Sequence, residues 1–143
     1  MKNIEELDLG KVQSIIEESS TIDRNNMDKM LETHSARYEY VTRFLPDLKN
    51  LLNSTKMERN EKKADLYLQN RMEKEKRGEK FTEAMLEALV TVHPEYRELN
   101  RKVLELEYKV SIIDRGWEVF RSREAAMKIM AQLYADQYWT ISS

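Results

Sequence analysis

Apolar residues recur every three or four positions along most of this chain, which is the spacing of amphipathic helices. The first run consists of Met27, Leu31, His34, Tyr38, Val41, Leu45, Leu48, Leu52 and Thr55. A second run consists of Tyr96, Leu99, Val103, Leu106, Val110, Ile113, Trp117 and Phe120, and continues through Met127, Ala131, Tyr134 and Tyr138. Both runs average about 3.5 residues per step, the period of a coiled-coil seam. The pattern predicts an all-α fold.

The helix boundaries follow from breaks in this pattern. We predict one helical domain over residues 1–143, built from a short helix over 8–20, a long helix over 24–77, a connection over 78–93 and a long C-terminal helix over 94–138.

Capping residues and helix breakers support these boundaries. Asp23 is a candidate N-cap of the first long helix, and Thr82 could cap a short helix within the connection. Pro46 removes one backbone hydrogen bond, so we expect a kink there, with the apolar stripe resuming afterwards. Gly78 is expected to end the first long helix, and Pro94 to lie in the first turn of the last one.

The simplest arrangement of these elements is a long antiparallel helical hairpin, coiled-coil-like, with the short N-terminal helix packed on one end. A second apolar line on the last helix would remain exposed in such a pair: Leu104, Ile112, Val119, Ala126, Ile129 or Met130, and Leu133. Exposed apolar surface of that size favours homo-oligomerisation.

Composition narrows the functional classes. The 143 residues include no cysteine, which excludes disulfides, thiolate nucleophiles and cysteine-based metal centres. No stretch approaches the roughly 18 apolar residues of a membrane span. The opening MKNIEELDLG carries acids where a signal peptide needs a positive region and an apolar one. We therefore expect a cytoplasmic protein without a membrane partner.

Candidate catalytic groups are few. Only His34 and His93 could act as neutral bases near pH 7. His34 lies on the seam, where a buried, hydrogen-bonded side chain is expected, and His93 precedes Pro94 and is expected to cap a helix. Glu124 also lies on the seam and is interpreted as a register-setting polar residue. With no phosphate-binding glycine motif and no Glu-x-x-His pair, we predict no catalytic residue, no metal ligand and no cofactor.

Residues 56–80 form the only net-positive segment, here called the basic block, with 9 basic and 6 acidic side chains. One interpretation is a solvated helix face with i,i+4 pairs such as Glu58–Lys62 and Glu73–Arg77. The other is a single-strand binding site, in which basic side chains bind phosphates and bases stack on an aromatic ring. Its members would be Arg59, Lys62 and Lys63 for the phosphates, and Tyr67 or Phe81 for the bases. Repetition around an oligomer would multiply the affinity of such a site.

Three segments carry a resemblance to a known family. IDRNNMDKMLETHSARY (22–38) contains a His-Ser-x-basic-Tyr cluster, EKKADLYL (61–68) joins basic residues to an aromatic, and LELEYKVSIIDRGWEVFRSREAAMKIM (104–130) places Arg123 five positions before Lys128. Together they resemble the phage recombination mediator family UvsY over most of residues 20–135.

The resemblance implies a non-enzymatic protein that forms ring-like homo-oligomers, binds single-stranded DNA and helps load a RecA-like recombinase onto strands covered by single-strand DNA-binding protein. If the chain is phage-encoded, its location would be the host cell cytoplasm. The nucleic-acid-binding residues would be Arg59, Lys62, Lys63, Tyr67 and Arg71. The C-terminal helix would assemble the oligomer through Val110, Ile113, Trp117, Phe120, Met127 and Tyr134. The alternative is a helical scaffold or chaperone-like adaptor that binds only proteins.

Overall fold

The fold is all-α, as the apolar spacing predicts. The structure, a computed structural model, describes residues 7–20 and 27–142, and no strand occurs among them. The helices are α1 (Leu9–Ser19), α2 (Met27–Thr42), α3 (Leu45–Arg77), α4 (Glu83–Thr91) and α5 (Pro94–Ser142). The chain divides into two compact units: a first unit of Met1–Asp47 with Lys109–Ser143, and a second unit of Leu48–Tyr108.

The break between α2 and α3 differs from the predicted kink. α2 ends at Thr42, a turn at positions 43 and 44 follows, and α3 begins at Leu45. Pro46 is the second residue of the new helix, where its missing N–H would have no helical partner in any case. The proline therefore lies at the start of a helix and does not bend one. The predicted N-cap Asp23 lies outside the described residues.

The other helix ends follow local capping rules. Asp8 caps α1 by accepting a hydrogen bond from the Lys11 backbone N–H at 3.1 Å. Gly78 ends α3 with φ of +67°, a left-handed conformation that glycine adopts without a Cβ clash. Thr82 caps α4 by accepting from the Met85 N–H at 3.2 Å, so the predicted connection contains a helix. His93 accepts the Glu95 N–H through Nδ1 at 3.2 Å as α5 begins.

The core of the first unit combines α1, α2 and the C-terminal part of α5. Its buried apolar side chains are Val12, Ile16, Met30, Val41, Phe44, Ile113, Phe120 and Met127. Gly116 allows the close approach of the three helices, because a Cβ there would lie 2.7 Å from Ile16 Cδ1 and 2.9 Å from Val41 Cγ1. On α2, Met30 is buried and the predicted seam residue Leu31 is 49% exposed. The buried face therefore departs from the predicted stripe at Leu31, whereas the stripe residue Val41 lies in the core as predicted.

The core of the second unit is formed by α3 from Leu48 onward, by α4 and by α5 up to Tyr108. Its buried apolar side chains are Leu48, Leu52, Leu66, Leu86, Val90, Val103 and Leu106. At its edge, polar contacts join α3 to α5: Lys56 to Glu107 at 3.3 Å, Arg59 to Asn100 at 3.1 Å, and Lys62 to Glu95. These contacts involve several members of the basic block.

Candidate nucleic-acid interface

Lys62 is held by an acidic side chain of the same unit. Its ammonium group binds the Glu95 carboxylate of α5, and the exposed fractions of the two side chains are 34% and 60%. The hydrogen bond to Glu95 raises the pKa of Lys62, and the same bond lowers the pKa of Glu95. A strand phosphate would have to displace this carboxylate in order to bind Lys62.

Arg59 also contacts α5. Its Nη1 donates a hydrogen bond to Asn100 Oδ1 at 3.1 Å, and the residue is half-buried. One turn earlier, Lys56 forms its ion pair with Glu107. The cations of Lys56, Arg59 and Lys62 therefore help to join α3 to α5 within the second unit.

Lys63 and Tyr67 lie together on a different part of α3. Both line an open cleft of about 420 Å³, here called the α3–α4 cleft. Its other lining residues are Asn60, Ala64 and Leu68 of α3, and Glu87 and Val90 of α4. Lys63 is exposed and forms no ion pair with any residue that the structure describes, and Tyr67 is half-buried. The cleft thus brings a free cation next to an aromatic ring and the exposed apolar Leu68.

The C-terminal part of the basic block consists of paired charges. Arg71 binds Glu75 at 3.3 Å, Arg77 binds Glu73 at 3.7 Å, and Lys74 binds Glu79 at 2.7 Å. The i,i+4 pair of Glu73 and Arg77 is the one that the solvated-face interpretation predicts, whereas Lys62 pairs with Glu95 and not with Glu58. Phe81 is half-buried and does not line the α3–α4 cleft. Arg71 and Phe81 are therefore not brought together with Lys63 and Tyr67 in that cleft.

The six residues predicted for oligomerisation divide into buried and exposed members. Ile113, Phe120 and Met127 are at most 3% exposed within the first unit, and Val110 is half-buried. Trp117 is 37% exposed and donates its indole N–H to the Tyr38 hydroxyl oxygen at 2.9 Å. Tyr134 is 74% exposed, and two neighbours on α5, Ile129 and Leu133, are exposed as well. Of the six predicted side chains, Tyr134 is therefore the most exposed.

His34 lies among aromatic rings in the first unit. It stacks on Tyr38 and meets Phe120 edge-on, with ring centroids 6.5 and 5.6 Å away. Its Nδ1 atom is buried and has no hydrogen-bond partner among the described residues, which differs from the expected hydrogen-bonded side chain. Burial, and secondarily the charge of Arg123, lower the pKa of His34, while Glu124 acts in the opposite direction.

The buried polar residue on the C-terminal helix is Arg123, not Glu124. Arg123 is 3% exposed, whereas Glu124 is exposed and pairs with Lys128 at 3.4 Å. The register-setting role predicted for Glu124 is therefore wrong, since its carboxylate does not lie in the core. The apolar stripe alone gave no sign of Arg123, because arginine is ordinarily a surface residue.

The described residues contain no group of three or more His, Asp or Glu side chains that could hold a metal ion. No helix among them has both the length and the apolar character needed to cross a bilayer.

Comparison of the chain with family models, with curated proteins and with solved structures gives no match in any of the three.

Proposed function

We propose that this protein is a non-enzymatic recombination mediator, which binds single-stranded DNA as a homo-oligomer and helps load a RecA-like recombinase onto strands covered by single-strand DNA-binding protein. The proposal takes its partners from the resemblance to the UvsY family. In the cell it would act in the cytoplasm, that of the host if the chain is phage-encoded. The structural support comes from one cleft and from exposed apolar surfaces.

The observation that carries the proposal is the pairing of Lys63 with Tyr67 in the α3–α4 cleft. Sites for single strands combine cations that follow the backbone with aromatic rings on which bases stack. Lys63 has no carboxylate partner among the described residues, so a phosphate could bind it without first displacing one. Glu87 on the α4 wall of the cleft would favour a path for the phosphates on the α3 side.

The hairpin architecture is part of the proposal. Along the second unit, Lys56, Arg59 and Lys62 contact Glu107, Asn100 and Glu95 in turn. The residue numbers rise on α3 while they fall on α5, as in an antiparallel pair.

Exposed apolar side chains support assembly into a homo-oligomer. Ile129, Leu133 and Tyr134 are 63%, 57% and 74% exposed on the last part of α5. Clustered apolar surface of this kind is a common mark of subunit contacts. In a ring, each subunit would add one Lys63–Tyr67 cleft, so weak individual contacts would add up to a stable complex.

The test is a titration of a fluorescent single-stranded oligonucleotide with the full chain at two salt concentrations. We expect sequence-independent binding that weakens steeply with salt. On a single strand, log K falls by about 0.7 per phosphate contact for each tenfold increase in salt concentration. Lys63→Ala should reduce this slope, and Tyr67→Ala should weaken binding by roughly five-fold or more per stacked base. Tyr67→Phe, which keeps the ring, should bind like the wild type.

Lys76→Ala is the matched control, because Lys76 is an exposed α3 cation with no ion pair among the described residues and lies outside the cleft. An equal loss in Lys76→Ala and Lys63→Ala would show that only general charge matters. If the chain does not bind the oligonucleotide at low salt, the proposed strand binding is wrong.

A scaffold that binds only proteins is the second candidate. It is favoured by the many basic-block cations that are already paired, and by exposed apolar side chains on the second unit such as Met57, Met72 and Val92. Sedimentation with and without single-stranded DNA separates the two candidates. The mediator should co-sediment with the strand, and the scaffold should not.

A further inference from the structure

Arg123 on α5 is an almost fully buried cation in the first unit. It is 3% exposed, although arginine is among the residues least often buried without a partner. Its aliphatic stem could be packed for shape alone, with the head reaching water. That explanation fails here, because the guanidinium atoms Nε and Nη1 are themselves buried.

Two nitrogens of this guanidinium are buried without an acceptor in the part of the chain that the structure describes. Neither Nε nor Nη1 has a partner among the described residues, and the buried Ser19 hydroxyl on α1 lacks one as well. Burial, and secondarily the charge of a second cation, Arg37, lower the pKa of Arg123. A buried charge without a counter-ion is costly. The site therefore has an uncompensated positive charge and unused donors.

Arg123 and Ser19 are both lining residues of one open cleft of about 560 Å³, here called the Arg123 cleft. Its lining residues are Ser19, Ser20, Arg115, Glu118, Val119, Ser122, Arg123 and Ala126. Two arginines and three serines thus line one space with a single acidic residue, Glu118. All of these residues belong to the first unit.

We propose that the Arg123 cleft is a binding site for a phosphate group, with Arg123 as its central ligand. A guanidinium offers two parallel N–H donors that match two oxygens of a phosphate, and hydroxyls can serve the remaining oxygens. A carboxylate has only two oxygens and would leave several of these donors unused. The phosphate could be a free anion or a phosphodiester of a nucleic-acid strand. The inference needs no part of the proposed mediator function.

The first experiment measures thermal unfolding of the full chain in inorganic phosphate and in chloride at equal ionic strength. For the wild type we expect a saturable rise in Tm of roughly 5 °C in excess phosphate, because a ligand that binds only the folded state stabilises it. Arg123→Met should abolish the rise. In chloride this variant should be at least as stable as the wild type, since it removes an uncompensated buried charge.

Arg121→Met is the matched control, because Arg121 lies two positions away on α5, over the Trp117 ring and outside the cleft. It should keep the full phosphate-dependent rise. A rise that persists in Arg123→Met, or no rise above chloride in the wild type, would overturn the proposal. If Arg123→Met does not fold, Arg123→Lys and Ser19→Ala are used, and each should weaken phosphate binding at least tenfold.

Three further arms identify the anion. The first arm uses a short oligodeoxynucleotide without a terminal phosphate. If it gives the same Arg123-dependent rise in Tm, the ligand is a nucleic-acid strand. If only inorganic phosphate raises Tm, the ligand is the free anion. An equal rise in acetate would overturn the phosphate class in favour of a carboxylate from a protein. Asp23→Asn with Asp28→Asn should leave the phosphate-dependent rise unchanged, and a larger rise would show that Arg123 already has a carboxylate partner within the chain.

The outcome is independent of the mediator proposal. If strand binding does not depend on Lys63 and Tyr67 but the phosphate-dependent rise in Tm is present, only the mediator proposal is overturned. If strand binding depends on these residues but Tm does not rise in phosphate, only the proposed Arg123 site is overturned.

Discussion

The ammonium group of Lys62 on α3 binds the carboxylate of Glu95 in the first turn of α5. Lys62 is predicted from the sequence to bind a strand phosphate, but in the structure it contributes to the contact between two helices of the second unit. Lys62 and Lys63 are adjacent in sequence, but only Lys63 lines the α3–α4 cleft. The two lysines should therefore respond differently to substitution.

Glu95→Gln should increase the affinity for single-stranded DNA severalfold at low salt. The substitution releases Lys62 from its carboxylate, so that a phosphate can bind it without competition. The measurement is the same oligonucleotide titration at two salt concentrations. The control Glu58→Gln removes one negative charge from α3, the helix of Lys62, without releasing Lys62 from Glu95. It should increase the affinity less. Equal gains in both variants would mean that Lys62 does not contact the strand.

His34 should make the first unit less stable in weak acid. Burial lowers its pKa in the folded state below the ordinary value of 6.5, so the unfolded chain takes up the proton more readily. The stability that this group contributes is complete above about pH 6.5 and decreases as the pH falls from there toward the lower folded-state pKa. Urea unfolding between pH 8 and pH 5 measures this change.

The matched variants for this effect are His34→Gln and His93→Asn. The first should flatten the pH dependence of unfolding between pH 8 and pH 5. The second replaces the other histidine while keeping a helix-capping side chain, and should leave the dependence in place. A pH profile identical in wild type and His34→Gln would exclude His34 as its source.

Gly116→Ala should destabilise the first unit by about 1–3 kcal/mol, the usual cost of overpacking a core. The added methyl would lie 2.7 Å from Ile16 Cδ1 and 2.9 Å from Val41 Cγ1, and would force α5 away from α1 and α2. Gly10→Ala is the control, because its Cβ would meet only Asp8 Oδ1 at 3.4 Å. It should be neutral, or stabilise α1 by about 0.5–1 kcal/mol through the better helix propensity of alanine. Denaturant midpoints compare the two.

The hydrogen bond from Trp117 to Tyr38 should contribute about 0.5 kcal/mol, at the low end of the usual range because both side chains are 37% exposed. A double-mutant cycle of Tyr38→Phe and Trp117→Phe, followed by urea unfolding, measures the coupling free energy. Tyr38→Phe alone keeps the edge-on contact with Phe120, so its effect isolates the hydroxyl. A coupling of zero would mean that water replaces the bond without cost.

The sequence by itself determined the helical class and several helix ends. Gly78, Thr82 and Pro94 act on backbone groups only a few residues away, so their roles can be derived from local chemistry. The position of the basic block on one long helix, with its i,i+4 pairs such as Glu73–Arg77, was accessible for the same reason.

The tertiary structure decided which side of each helix is buried and which charges are already paired. Leu31 and Met30 differ by one position, or about 100° around a helix, and only the neighbouring helices determine that Met30 lies in the core. The same applies to Arg123 and Glu124, and to the pairing of Lys62 with Glu95. Such choices depend on groups that are distant in the sequence, so an apolar period on one helix cannot specify them.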